Sequence, residues 1–132
     1  MALPKLNVPV YEAILPSTEK VIKFRPFLVK EEKLLLTAIE DGSESSMMLS
    51  IKKIIENCVQ DDIDVDKLPL FDIEFLFLKL RSKSVGEKSN IGLSCQECES
   101  VNQIEIDMEE IKVDKPTGHT RKILLEDNIG VM

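Results

Sequence analysis

Two cysteines separated by two residues, Cys95 and Cys98, form the motif of this sequence that is best suited to chemistry. A tight turn can place two such thiolates on one side of the chain, where they bind a single zinc ion. A structural zinc site normally has four ligands, and the sequence contains no second pair with this spacing. Three interpretations remain open: a plain hairpin turn without metal, a partial or intermolecular zinc site, and a redox-active dithiol. Zinc is the one cofactor we consider, and no other is expected.

The remaining soft ligands give little support for an active site. Cys58 falls on an apolar helical stripe, where a cysteine is usually a small buried hydrophobe. His119 is the single histidine, lies in a turn and has no nucleophile motif near it, so we expect it to be exposed and inert. The sequence contains no nucleotide-binding glycine motif and no metalloprotease motif. We therefore predict that the protein is not an enzyme.

Length, composition and charge limit the class of protein. The chain has 132 residues, 43% of them hydrophobic, which is typical of one globular domain. Its formal net charge of −7 disfavours binding to nucleic acid or to an anionic membrane. No apolar run approaches the roughly 20 residues that cross a bilayer, and the N-terminus lacks the apolar segment of a signal peptide. We place the protein in a cytosol or in an assembly made there.

The N-terminal third predicts an extended arm, a β-hairpin and a helix. Residues 1–10 contain two prolines and read as an arm, whereas residues 11–15 and 20–25 are β-prone runs around a Pro/Ser/Thr turn. In the second run Ile22 and Phe24 alternate with charged or exposed positions, as in a strand with one buried face. Residues 28–39 then read as a helix that Asp41-Gly42 closes.

Two further helices and a β region follow. A second helix begins within residues 43–46 and carries an apolar stripe of Met47, Ile51, Ile54, Ile55 and Cys58. A third helix, over residues 70–80, is apolar on nearly all sides, which indicates a central position in the core or a covering partner. Residues 90–93 and 101–107 are β-like runs on either side of the two cysteines, and shorter β-like runs end at Val113 and span 121–125.

The predicted fold class is α+β, because a run of helices is followed by a run of strands. We expect an N-terminal β-hairpin, a three-helix core and a C-terminal antiparallel β region with a CxxC turn. The chain is divided accordingly into an extended arm (1–10), a hairpin with a helical core (11–86) and a β-hairpin region (87–132).

Three features favour a protein that works by binding others: the Phe-rich third helix, the proline-containing arm, and a local basic patch on an acidic chain. The patch comprises Lys20, Lys23, Arg25, Lys30 and Lys33, and an ordinary solvated face is its plainer interpretation. Phe71 and Phe75 have a plainer interpretation too, since aromatic stripes on helices are usually core. The predicted partner-binding residues lie near the hairpin–helix junction and on the third helix: Arg25, Phe27, Lys30, Lys33, Phe71, Glu74, Phe75 and Arg81.

Four segments taken together resemble a known family. They are residues 15–18 (LPST), 22–36 (IKFRPFLVKEEKLLL), 70–86 (LFDIEFLFLKLRSKSVG) and 95–98 (CQEC). The second and third are specific in combination. The sequence resembles the T4-type bacteriophage baseplate hub family, whose members are hub subunits or hub assembly factors, over roughly residues 5–107.

The resemblance implies a non-enzymatic role in building a contractile phage tail. Partners would be other baseplate hub or tail proteins, in homo- or hetero-oligomers, with no nucleic acid and no membrane involved. The location would be the host cytoplasm during assembly and the tail baseplate of the virion. Family members are generally longer, so region 87–132 is expected to be truncated. The alternative function is a small zinc-binding interaction module that uses Cys95 and Cys98.

Overall fold

A computed structural model describes residues 7–118, 123–126 and 129–131. Its elements confirm the predicted α+β class, with a hairpin, three helices and then antiparallel strands. In the described part of the chain, the strands form three separate two-stranded antiparallel sheets. In chain order the elements are β1 (Tyr11–Ile14), β2 (Val21–Phe24), α1 (Val29–Asp41), α2 (Glu44–Cys58), a 3-10 helix (Val65–Lys67), α3 (Leu70–Ser84), β3 (Lys88–Ser94), β4 (Val101–Asp107), β5 (Ile123–Glu126) and β6 (Ile129–Val131).

Local signals place the boundary between α1 and α2 where the sequence predicts it. Gly42 ends α1 with a φ of 68°, a left-handed conformation that glycine adopts without steric cost. Ser43 then caps α2, because its hydroxyl accepts a hydrogen bond from the backbone N–H of Ser46 at 3.3 Å. The two helices therefore follow each other with almost no connecting chain.

The hydrophobic core lies between the first hairpin, α2 and α3. Ile22 and Phe24 of β2 are buried, as their alternation with exposed Val21 and Lys23 predicts. The predicted apolar stripe of α2 contributes Ile54, Ile55 and Cys58 to the core, and one face of α3 contributes Ile73, Leu76 and Leu80. The buried cluster comprises Ala13, Leu15, Ile22, Phe24, Ile54, Ile55, Cys58, Val65, Ile73, Leu76 and Leu80. The helix α1 contributes no residue to this buried cluster, but its half-buried Leu34 and Leu35 pack against it.

Some predicted runs differ from the structure or fall outside it. Residues 111–116 have no regular secondary structure, so the β-like run that ends at Val113 does not form a strand. Residues 7–10 precede β1 without regular structure, and residues 1–6 of the predicted arm lie outside the described residues. His119 also lies outside them, as does the beginning of the predicted strand at 121–125, of which β5 contains the end.

Candidate protein-binding surfaces

An internal ion pair organises the junction between β2 and α1. Arg25 Nη2 lies 3.1 Å from Glu31 Oε1, and the Glu31 side chain is entirely buried. The same guanidinium donates to the carbonyl of Asn57 at 3.1 Å, while Glu31 Oε2 accepts the N–H of Leu28 at 2.7 Å. Burial alone would raise the pKa of Glu31, but Arg25 and the Leu28 amide outweigh it and lower that pKa. Arg25, predicted as a partner contact, is thus engaged within the fold.

The other predicted residues of this junction differ in exposure. Phe27 is half-buried and packs against the core, and its N–H donates to Ser84 Oγ at 3.0 Å. Lys30 and Lys33 are exposed on α1, and the Lys30 ammonium lies 3.6 Å from Glu31. Of the four predicted residues, the two lysines are therefore the ones that present their charge to solvent.

A buried carboxylate joins the first turn of α3 to the first hairpin. Asp72 is fully buried and accepts hydrogen bonds from the backbone N–H of Ser17, at 3.1 Å, and from the Ser17 hydroxyl. Because both donors belong to the β1–β2 turn, this contact fixes the turn against the start of α3. The adjacent residue, Phe71, is then held at the surface with 42% of its area exposed.

Phe71 and Phe75 line a depression that we call the α3 groove, bounded by α3, the first hairpin and residues 109–116. One cavity of about 660 Å³ lies between β1, Phe75 and residues 109–115. A second, of about 570 Å³, is lined by Phe71 and residues 113–116, and shares Val113 and Lys115 with the first. A third, of about 640 Å³, extends from Phe71 to the turn at Ser17 and Thr18. The structure brings Phe71 and Phe75 together along one groove.

Glu74 and Arg81, the remaining predicted residues of α3, are not equivalent. Glu74 is exposed. Arg81 is half-buried, and its guanidinium contacts the sulfur of buried Met108 at 3.1 Å. Arg81 therefore helps to attach the end of β4 to α3, whereas Glu74 presents its carboxylate to solvent.

A polar cluster makes the second attachment between α3 and the segment after β4. Glu109 accepts hydrogen bonds from the Ser82 hydroxyl and from Lys79 Nζ, the latter at 2.9 Å, and Lys83 Nζ lies 3.5 Å away. The Ser82 hydrogen bond, followed by that of Lys79, lowers the pKa of Glu109 to about 2 although partial burial opposes ionisation. Glu109 is therefore ionised at neutral pH and fixes the base of the β3–β4 hairpin.

Beyond that base, the β3–β4 hairpin has an apolar face that no described residue covers. Ile91 pairs directly with Ile104, and Leu93 with Asn102, so these side chains share one face of the hairpin. Ile91, Leu93 and Ile104 are 39%, 53% and 43% exposed. The opposite face carries polar residues such as Lys88 and Glu105, whose charged groups lie 2.9 Å apart. We refer to Ile91, Leu93 and Ile104 as the hairpin face.

Cys95 and Cys98 lie close together in the connection between β3 and β4. The N–H of Cys95 donates to the carbonyl of Ser100 at 2.9 Å, and that of Glu99 donates to the carbonyl of Cys95 at 3.0 Å. Cys98 is exposed, and its sulfur lies 3.0 Å from the Ser100 hydroxyl. Hydrogen bonds from Ser100, followed by one from the Cys95 thiol, lower the pKa of Cys98. By contrast, burial raises the pKa of Cys58 to about 11.

No metal centre is complete within the described residues. These residues contain no group of three or more His, Cys, Asp or Glu side chains placed to bind one metal ion. The two thiols of Cys95 and Cys98 therefore form at most half of a tetrahedral site from this part of the chain. Within the same residues, no helix is long and apolar enough to cross a membrane.

Sequence reasoning missed an exposed apolar stripe on α1. Val29, Leu36 and Ile39 are 67%, 55% and 55% exposed, and Leu36 and Ile39 belong to the predicted helix of residues 28–39. The available signal is spacing, since Val29 and Leu36 are seven residues apart and so share a helical face. Sequence reasoning also missed the hairpin face. The signal for it was the placement of the apolar residues Ile91 and Leu93 two positions apart in a β-like run.

Comparison with known proteins identifies the family of this chain. The model of the family described as "T4 bacteriophage base plate protein" matches residues 8–132, which is nearly the whole chain. No curated protein and no solved structure matches the chain significantly. The fold has exposed apolar surfaces, and its buried carboxylates form hydrogen bonds within the chain. Both features fit a protein that is built into a larger assembly. The chain belongs to the T4 bacteriophage base plate protein family.

Proposed function

We propose that this protein is a non-enzymatic component of the baseplate hub, or a factor that assembles the hub, and that it acts by binding other tail proteins. It would do so in the host cytoplasm during assembly, as a homo- or hetero-oligomer, and without nucleic acid or membrane. Membership of the baseplate family supports the tail context. The assignment to the hub rests on the resemblance of residues 22–36 and 70–86.

The observation that carries the proposal is the α3 groove with Phe71 exposed at its edge. An aromatic side chain held at a cavity by a rigid backbone is a common core of a protein interface. Here the rigidity comes from Asp72, which is fixed by Ser17. Exposed Lys30, Lys33 and Glu74 provide charged groups for the surrounding rim.

The carboxylates that would otherwise suggest catalysis support the same view. Glu31 and Asp72 are fully buried, the pKa of Glu109 is lowered to about 2, and each of these three acids binds a donor from another segment. Such contacts use the acids to hold elements together. This supports a structural role for these groups.

A binding experiment with a matched control tests the proposal. The chain is co-expressed with each baseplate protein of its phage in turn, and complexes are measured by size-exclusion chromatography with light scattering. We expect Phe71→Ser to abolish binding to at least one hub protein. Leu49→Ser, on the outer face of α2 at 69% exposure, removes a similar apolar side chain and should leave binding unchanged.

Two results would refute this assignment. One is the absence of any complex between the unmodified chain and the hub proteins. The other is a complex that Phe71→Ser and Leu49→Ser leave equally intact, which would remove the α3 groove from the interface. Quantitative mass spectrometry of purified virions then separates the two forms of the proposal, because a hub component stays in the particle and an assembly factor does not.

A further inference from the structure

We propose that the tip of the β3–β4 hairpin is half of a four-thiolate zinc site, which Cys95 and Cys98 of a second copy of this chain complete. In this arrangement the hairpin faces of the two copies cover each other. The inference does not depend on the assignment to the baseplate hub, since it rests only on the hairpin and its two thiols.

The first observation is the local arrangement of the thiols. Cys95 and Cys98 occupy one short connection, where the sulfur of Cys98 is exposed and lies 3.0 Å from the Ser100 hydroxyl. A zinc ion binds thiolates rather than thiols, and it prefers four ligands in a tetrahedron. The described chain supplies two soft ligands here and no third acidic or nitrogen ligand close to them. Two further ligands of the same kind are what the site lacks.

The second observation is that the connection does not need cysteines for its shape. The first hairpin has the same backbone pattern, with the N–H of Leu15 donating to Lys20 and that of Glu19 donating to Leu15. The fifth residue of each connection is left-handed, at a φ of 57° for Glu19 and 56° for Glu99. Leu15 and Thr18 occupy the positions of Cys95 and Cys98 in this first turn. The thiols are therefore available for a role other than turn formation.

The third observation is that the apolar face of the first hairpin is buried, whereas that of the second hairpin is exposed. In the first hairpin the face that contains Leu15 and Ile22 is buried against α2 and α3. In the second, the face of Ile91, Leu93 and Ile104 is open to solvent. An isolated two-stranded hairpin with an open apolar face is only marginally stable in water, so a covering surface would stabilise it.

The thiols and the apolar face point to the same partner. Residues two apart on a strand share a face, so Cys95 follows Ile91 and Leu93 on the hairpin face. A two-fold axis along the hairpin would bring each Leu93 to its counterpart and each pair of thiols to the other pair. Four thiolates would then surround one point at the tip. A second copy is the partner that supplies both a matching apolar face and two more thiolates.

Charge makes this pairing depend on the metal. Glu97 and Glu99 are exposed in the same connection, and each chain carries a formal net charge of −7. Two such tips repel each other when no cation lies between them. Four zinc–thiolate bonds to one shared ion would supply the attraction that holds the two tips together against this repulsion. The dimer should therefore form with zinc and dissociate when a chelator removes it.

The test is native mass spectrometry and sedimentation velocity of the reduced full chain, with zinc chloride added and then with EDTA. We expect one zinc per two chains at twice the 15.0-kDa mass of the chain, and a monomer after EDTA. Cobalt substitution should give thiolate-to-cobalt charge-transfer absorption. Cys95→Ser/Cys98→Ser should lose the metal and the dimer while keeping its circular dichroism, because the turn forms without thiols.

A second variant tests the apolar face separately. Ile104→Asp leaves both thiols in place and should shift the zinc-dependent dimer toward monomer, whereas Leu49→Asp, on the outer face of α2, should not. One zinc per monomer would overturn the shared site, as would a failure to bind zinc. A dimer that persists in EDTA and in Cys95→Ser/Cys98→Ser would also contradict it.

Discussion

The guanidinium of Arg25 lies 3.1 Å from the carboxylate of Glu31, and through it the end of β2, the start of α1 and the end of α2 are held together. Glu31 follows Leu28 by three residues and accepts its N–H, so one carboxylate satisfies both a helix N-terminus and a guanidinium. The relationship explains why a basic residue that sequence patterns assign to the surface has a side chain only 13% exposed.

Removing this carboxylate should destabilise the fold strongly. Glu31→Ala leaves the largely buried Arg25 guanidinium without its counter-ion, and breaking a buried pair on one side typically costs about 3 kcal/mol or more. Urea unfolding followed by circular dichroism measures the change in the free energy of unfolding. Lys67→Ala, which breaks an exposed pair with Asp64, should have no measurable effect. Equal effects of the two variants would show that the Arg25–Glu31 pair has no structural importance.

The contact between Ser17 and Asp72 offers a test within a single turn. Ser17→Ala removes a hydroxyl donor from a fully buried carboxylate, and an unsatisfied buried group costs about 2 kcal/mol. Thr18→Ala changes the neighbouring exposed side chain and should change the free energy of unfolding far less. Thermal melts of the two variants at neutral pH compare them directly. A Ser17→Ala protein as stable as the unmodified chain would contradict this role.

Acid should weaken the attachment of the second hairpin. The pKa of Glu109 is about 2 in the fold, below its ordinary value of 4.5, so its stabilising effect is complete above about pH 4.5. That effect is lost as the pH falls from about 4.5 to 2, because the unfolded chain binds the proton first. Glu109→Gln should therefore lower the melting temperature at pH 7 and make less difference at pH 3. A deficit that is the same at both pH values would show that Glu109 does not titrate in this way.

The three cysteines should differ sharply in reactivity. Burial raises the pKa of Cys58 to about 11, whereas Cys98 is exposed and its pKa is lowered by Ser100. A brief treatment of the reduced protein with iodoacetamide at pH 8, followed by peptide mass spectrometry, should label Cys98 first and leave Cys58 unmodified. Labelling of Cys58 as fast as Cys98 would mean that the core opens readily around α2.

Local patterns predicted the elements because their signals lie within a few residues of one another. The alternation at Ile22 and Phe24 identified the buried face of β2, and Gly42 and Ser43 marked the boundary between two helices. These features follow from backbone geometry and from one-sided burial, both of which can be read along the chain.

Contacts between distant segments could not be predicted in the same way. Arg25 reaches the carbonyl of Asn57, and Ser17 reaches Asp72, across separations that no local pattern encodes. The run that ends at Val113 looked like a strand, yet its residues lie along the α3 groove without a paired strand. The exposure of Val29 and Leu36 could not be predicted for a related reason. The type of an apolar residue does not indicate whether the fold or a partner covers its side chain.

Tail assembly in infected cells tests the central claim most directly. The gene is deleted from the parent phage and supplied from a plasmid, and the particles are examined by electron microscopy and plaque counts. We predict that the deletion gives particles with no complete baseplate, that the unmodified gene and Leu49→Ser restore plaques, and that Phe71→Ser fails although its product folds. Normal baseplates and plaques from the deletion phage would contradict a role in the hub.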